Sequence, residues 1–194
     1  MLWTGLRSVL ELGEDWGRSS ASEPLRYNVE FVSANPTGPL HVAHGRGAAI
    51  GDATASLLEW TGHEVQREFY VNDAGRQIEL LGESIEARWL QARGADVEMP
   101  QGGYQGEYIR DIARDPAEEL GDTDLEVLER SERLRLLSAR AANLLRAGQE
   151  QDLAEFGVHM DHWFDESSLF ATGDVEDLLA RLMESGRAYR DDGA

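Results

Sequence analysis

The sequence predicts an α/β fold built on a parallel sheet, and three observations carry that reading. Residues 26–32 and 64–71 alternate in the period-two manner of strands. Each run is followed by helical periodicity closed by a glycine, Gly62 and then Gly94. Between the first strand and its helix lies a turn, residues 33–39, with two prolines and a glycine that cannot continue a strand. Strand, turn, helix, strand, helix is the βαβ order of a parallel sheet. The ligand edge of such a sheet lies beyond the carboxyl ends of its strands, where residues 33–46 and 72–77 fall.

The elements follow in order. Leu2, Leu6, Val9 and Leu10 stand at helical spacing with no capping residue before them, as at the end of a helix, and residues 13–23 form a polar linker. The first crossover helix is expected over residues 42–61, with Ala48, Ala49, Ala53, Leu57 and Leu58 on its buried side. Asn72 and Asp73 are read as capping a second helix that runs to about Arg93. A Gly/Gln/Asp-rich stretch then surrounds a short helix at residues 104–114, in which Tyr104 and Tyr108 read as packing. A long helix is expected from Asp122 to about Phe156, with Leu134, Leu137, Ala141 and Leu145 as its apolar stripe. Asp174 is read as capping a last helix that carries Val175, Leu178, Leu179 and Leu182 and stops at Gly186. Tyr189-Arg190 followed by Asp191-Asp192-Gly193 reads as a strand beginning and a hairpin turn. The chain thus divides into residues 1–24 (terminal helix and linker), 25–94 (βαβα unit), 95–165 (helical insertion) and 166–194 (return helix and hairpin start).

Composition narrows the chemistry. The 194 residues include 37 acidic and 18 basic ones, for a formal charge of −19. All the basic residues are arginine, so a Schiff base or a lysine on phosphate has no source here. With no cysteine there is no disulfide framework and no thiol nucleophile. No apolar run reaches membrane-spanning length, and the start has no basic n-region. A charge of −19 repels phosphate overall, so a large RNA-gripping surface is not expected within these residues.

His41-Val42-Ala43-His44-Gly45 stands where the turn enters the first helix. Two imidazoles three residues apart lie on one side of a helix's first turn, beside free backbone N–H groups that favour an anion. That combination suits developing charge on a phosphate, and read from spacing alone it equally suits histidines that cap a turn. His159-Met160-Asp161-His162 is a second H-x-x-H, and the two pairs would build a metal site only if they met in space; the H-E-x-x-H spacing is absent. No metal site is expected. Trp163 and Phe164 read as core, and His63 as surface.

The segment Val29-Glu30-Phe31-Val32-Ser33-Ala34-Asn35-Pro36-Thr37-Gly38-Pro39-Leu40-His41-Val42-Ala43-His44-Gly45-Arg46-Gly47 resembles the signature of arginyl-tRNA synthetases. Tyr70-Val71-Asn72-Asp73-Ala74-Gly75-Arg76-Gln77 resembles the family's next motif, and residues 104–108 and 156–169 resemble two later ones, all in order. The resemblance implies the first half of a class I Rossmann-like catalytic domain with a helical insertion, in a cytoplasmic ligase. Such an enzyme activates arginine with ATP and Mg and transfers it to tRNA-Arg, with no tightly bound cofactor and no membrane. The resemblance assigns His41 and His44 to the ATP phosphates and the transition state, Ala43 and Gly45 with them to ATP binding, and residues 34–44 to the family's HIGH-type motif. It assigns Glu30, Ser33 and Asn35 to the arginine pocket, and Asn72, Asp73 and Gln77 lie at the same edge. A guanidinium or ammonium group needs such carboxylate and amide acceptors.

Three departures bear on activity. The family's second nucleotide-binding half, with its KMSKS-type lysine loop, is not in these residues. Nor are its N-terminal tRNA-binding and C-terminal anticodon-binding domains. A half sheet is expected to leave an unpaired edge and an uncovered apolar face, making the chain marginal or oligomeric alone. The alternative function is therefore a relic that binds a nucleotide or partner without catalysis, and a metal-binding α/β protein ranks below it. The third departure is Ala43, where the family carries a glycine that lets adenine approach the backbone. Equilibrium titration with ATP should give weaker binding for this chain than for its Ala43→Gly variant; equal affinities would remove the crowding argument.

Overall fold

Three parallel strands in the order β1-β2-β3 form the sheet. The computed structural model describes residues 2–114 and 125–191. Strand β1, Arg26–Glu30, pairs with β2, Glu64–Val71, in the register Arg26↔Glu64 to Glu30↔Glu68. Helix α2, Val42–Trp60, makes the crossover between them, after a terminal helix α1, Leu2–Leu12, and a single 3₁₀ turn, Gly13–Asp15. Helix α3, Arg76–Ala92, leads away from β2 into a helical layer with α4, Glu107–Arg114, and α5, Arg130–Glu155. Strand β3, His162–Asp165, returns to the sheet beside β2 from Glu68↔His162 to Val71↔Asp165. Two short helices follow, α6, Ser167–Thr172, and α7, Asp174–Glu184. Among the described residues no helix is long and apolar enough to cross a membrane.

The sequence-derived elements are corrected at several places. β1 stops at Glu30 because Val32 and Ser33 take φ values of 69° and 42°, outside any strand. Helix α3 starts at Arg76 behind Gly75, without a side-chain cap, because the Asp73 carboxylate is engaged elsewhere. Helix α4 starts three residues after Tyr104, and Asp122, the expected start of the long helix, lies outside the described residues. β3 falls within the stretch read as helical insertion. Four residues, two aromatic between two polar ends, are too short to show a period. Asp174 is the first residue of α7 rather than its cap, and it accepts a hydrogen bond from Thr172 Oγ1 at 2.6 Å. Tyr189 and Arg190 form no strand, and the expected hairpin turn runs beyond the described residues.

Two apolar cores hold the layers. One joins Leu81, Ile85 and Trp89 of α3, Ile109 and Ala113 of α4, and Leu137, Ala141 and Leu145 of α5. The other joins Phe31, Ala48, Phe69, Val71, Leu153 and Val158 around the sheet. Trp163 stacks on Phe69 with ring centroids 4.2 Å apart, so it packs as expected. Helix α5 reaches both cores, Leu145 in the first and Leu153 in the second. Arg67 of β2 pins α2 to the sheet: its side chain is 13% exposed and donates to Asp52 at 3.0 Å, Glu59 at 2.7 Å and Ser56 at 3.1 Å. The buried carboxylate of Glu86 joins α3 to α5 through Arg133 at 2.8 Å and Arg130 at 2.9 Å.

Much apolar surface stays open. The accessible area is 13287 Å², where a compact domain of 21.6 kDa exposes about 9,200 Å². Val42 and Ile50 of α2 are exposed beside the free edge of β1, as are Leu178, Leu179 and Met183 of α7. The buried stripe of α2 is Ala48, Gly51 and Ala55: of the residues expected there Ala48 is buried and Leu58 half-buried, while Ala49, Ala53 and Leu57 are exposed, Leu57 at 66%. Small residues are needed because the Phe31 ring fills the space against Gly51, where any Cβ would collide with it. Gly51→Ala should therefore destabilise the chain by about 1–3 kcal/mol in denaturant unfolding. Gly148→Ala, whose Cβ meets open space in α5, should stabilise by about 0.5–1 kcal/mol.

Candidate functional site

The site begins where the chain leaves β1. Ser33 N–H donates to the Phe31 carbonyl at 3.0 Å around Val32 at φ 69°. This is the rarer, strained form of γ-turn, costly for a β-branched residue. The turn places the Ser33 hydroxyl between two strands: it donates to Glu30 Oε1 at 2.6 Å and accepts from Tyr70 N–H at 3.1 Å. Ala34 and Pro36 are buried, Pro39 is exposed, and Leu40 packs against the sheet core. The Asn35 carboxamide donates to Gln77 Oε1 at 2.6 Å, tying the loop to the start of α3. Tyr108 of α4, read from sequence as packing alone, donates its hydroxyl to the Thr37 carbonyl at 2.9 Å and leaves little room beside Gly38.

His41 and His44 meet at the first turn of α2. Their rings stack with centroids 3.8 Å apart and planes 23° off parallel. His41 Nδ1 accepts from Ala43 N–H at 3.3 Å, and His44 Nδ1 accepts from His41 N–H at 3.2 Å, a reciprocal cap made of two imidazoles. Both readings of the pair, cap and phosphate contact, are therefore compatible. With Nδ1 accepting, each neutral ring carries its proton on Nε2, as a donor free of the cap. Burial, and then the neighbouring His41, hold the His44 pKa below the usual histidine value. Val42 and Ala43 are exposed, and nothing approaches a Cβ built at Gly45. Glu30 and Ala43 also line an open cleft of about 790 Å³ between β1 and α2, shared with Val29, Arg46 and Ile50.

The ends of β2 and β3 contribute more than the motifs suggested. Asp73 accepts from the Ser167 N–H at 2.8 Å and the Ser167 hydroxyl at 2.6 Å, capping α6. The Asn72 carboxamide, oriented to suit its neighbours, donates to Glu166 Oε2 at 3.0 Å and the Ala74 carbonyl at 3.2 Å. Burial raises the Tyr70 pKa, and the carboxylates of Glu166, Asp73 and Glu30 raise it further. One acidic group from the end of each strand thus faces one phenol. Tyr70 and Glu166 are the residues that sequence reasoning missed. Glu166 directly follows β3, and only recognition of that strand would have brought it to the ligand edge. The other histidine pair goes elsewhere: His162 Nδ1 lies 2.9 Å from Glu68 Oε2 across the β2–β3 ladder. Among the described residues no group of three or more metal-ligating side chains converges.

A parallel sheet whose first crossover helix opens on a histidine pair is the architecture of class I tRNA synthetases. The family described as "tRNA synthetases class I (R), catalytic domain" matches residues 8–183, and the chain belongs to it. An arginine–tRNA ligase of Geobacter sp. strain M21 is 46% identical over 189 residues, covering 97% of this chain and 34% of the relative. One from Syntrophotalea carbinolica is 46% identical over 193 residues, covering 99% and 35%. The chain thus spans about a third of the length of these relatives. A crystal structure of an arginyl-tRNA synthetase from Campylobacter jejuni superposes with a TM-score of 0.81 at 31% identity, over 98% of this chain and 42% of that one. The Thermus thermophilus arginyl-tRNA synthetase, at 24% identity and TM-score 0.56, shares the fold over 93% of this chain and 30% of its own.

The His44 environment has a pH signature. Folding lowers its pKa, so on acidification the unfolded chain takes up this proton first and the loop loses stability as pH falls below the usual histidine range. Protonated Nδ1 would face the His41 N–H as a second donor. Imidazole ¹⁵N spectra should show His44 as an Nε2–H tautomer titrating below the usual value, and His41→Ala should move it partway back. Titration at or above the usual value would contradict this environment.

Proposed function

We propose that this chain supplies the arginine- and ATP-binding half of an arginine–tRNA ligase. The observation that carries the reading is the stacked His41–His44 pair capping α2, whose first turn shares a cleft with the Glu30 carboxylate at the end of β1. In the reaction, an arginine carboxylate oxygen attacks the α-phosphorus of ATP. A new P–O bond forms and pyrophosphate leaves. Mg travels with ATP as part of the substrate. The Nε2–H groups of His41 and His44, left over by the reciprocal cap, donate to phosphate oxygens as charge builds on them. Ala43 and Gly45 lie along the same nucleotide edge. Glu30, Ser33 and Asn35 accept or orient the cationic groups of arginine, with Tyr70, Asp73 and Glu166 closing the acidic side and Asn72 and Gln77 holding two of these in place.

The second step, transfer to the 3′ end of tRNA-Arg, calls on surfaces able to hold RNA. A net charge of −19 argues against a grip on tRNA by this segment alone. A second reading, nucleotide or partner binding without catalysis, is favoured by Ala43 and by the absence of lysine. Arginine-dependent ATP–pyrophosphate exchange with tRNA present separates the two. The ligase reading expects exchange from the native protein that carries this segment, and a loss of roughly 100-fold or more in kcat for His44→Ala. Nucleotide binding with no exchange would leave the binding reading.

A further inference from the structure

We infer that Gln149 is a positioning residue for the His41–His44 pair, an inference that rests on the ligase reading above. Gln149 is 1% exposed and lies on α5 one turn from Leu145 in one core and one turn from Leu153 in the other. Its Nε2 donates to the Asn35 carbonyl at 3.1 Å and to the Gly38 carbonyl at 2.9 Å, bridging the two ends of the turn that leads into His41. Its Oε1 is buried with no hydrogen-bond partner. A stranded buried acceptor is costly. Turning the amide over would set that oxygen against two carbonyl oxygens, so the turn itself decides the side-chain orientation.

The turn needs such a donor. Pro36 and Pro39 have no N–H, and the local bond available, Thr37 N–H to the Asn35 carbonyl at 2.8 Å, leaves the Gly38 carbonyl without a backbone partner. Gln149 and Tyr108 together hold three carbonyls of the turn, those of Asn35, Thr37 and Gly38, from the helical layer. The first turn of α2 begins three residues after Gly38 with His41 as its cap. The height of the histidine pair above the sheet is thereby set by α5, a helix that carries no residue of the site.

Gln149→Met keeps length and apolar volume and removes both donated hydrogens; Gln149→Glu keeps shape, and its carboxyl, buried against two carbonyl oxygens and so held protonated, keeps one. In this chain, hydrogen exchange at the Thr37, His44 and Gly45 amides should accelerate about tenfold or more in Gln149→Met, with amides of β2 and α3 unchanged. In the enzyme carrying this segment, kcat for arginine-dependent exchange should fall about tenfold or more, while KM for arginine moves less than about twofold. Gln149→Glu, left with a single donor, should fall between the wild type and Gln149→Met. Should Gln149→Met fail to fold, Tyr108→Phe, which removes the Thr37 bond alone, should show the same loosening and the same split on a smaller scale. A folded variant with wild-type loop exchange, or with kcat unchanged, overturns the inference while leaving the ligase reading standing. A wild-type enzyme without arginine-dependent exchange overturns the ligase reading and the inference together.

Discussion

The abrupt exit of the chain from β1 is the constraint on which the rest of the site depends. A strand continued through Val32 and Ser33 would carry the following prolines past the end of the sheet. Instead Val32 and Ser33 adopt positive φ, and the strain is offset by bonds that only this geometry allows. Ser33 satisfies Glu30 and the Tyr70 amide at once, joining the ends of β1 and β2. The turn that follows is thrown towards the helical layer, where Gln149 and Tyr108 receive its carbonyls, and it enters α2 with His41 already at the cap. Removing the kink would uncouple all of these.

The second organising element is α5, whose 26 residues touch both cores. The helical layer is not a decoration on the sheet. Its ion pair to Glu86 fixes α3 against α5, and α3 carries Gln77, which holds Asn35. Both faces of the site are thus anchored to one helical unit. The free edge of β1 and the exposed apolar residues of α2 and α7 mark where this unit offers surface that it does not itself cover.

The sheet's first two strands, the crossover helix and the histidine pair were legible because each had a local signal: alternation, a closing glycine, three-residue spacing at a helix start. The third strand was not, since four residues carry no period and its pairing with β2 is wholly non-local. With it went Glu166 and the acidic arc around Tyr70. Asp73 looked like a cap for the helix after it and proved to cap one 94 positions away, because a carboxylate binds whichever free N–H groups the fold brings near. The α2 stripe was right at Ala48 and misjudged at Leu57 because the leucines are the more hydrophobic residues, whereas the Phe31 ring lies so close that Gly51 has no room for a Cβ.

The sequence by itself determined the fold class, the order of β1, α2, β2 and α3, the family and the presence of a histidine pair at the start of the crossover helix, all of which rest on local pattern and residue type. Only the tertiary structure decided what those residues do with each other. The imidazoles cap one another, Ser33 bridges two strands, Glu166 beyond β3 hydrogen-bonds the Tyr70 phenol on β2, and a buried glutamine on a remote helix holds the loop. Apart from the local imidazole cap, these join residues tens of positions apart, set by packing and by the need to satisfy buried polar groups, and no one-dimensional pattern records them.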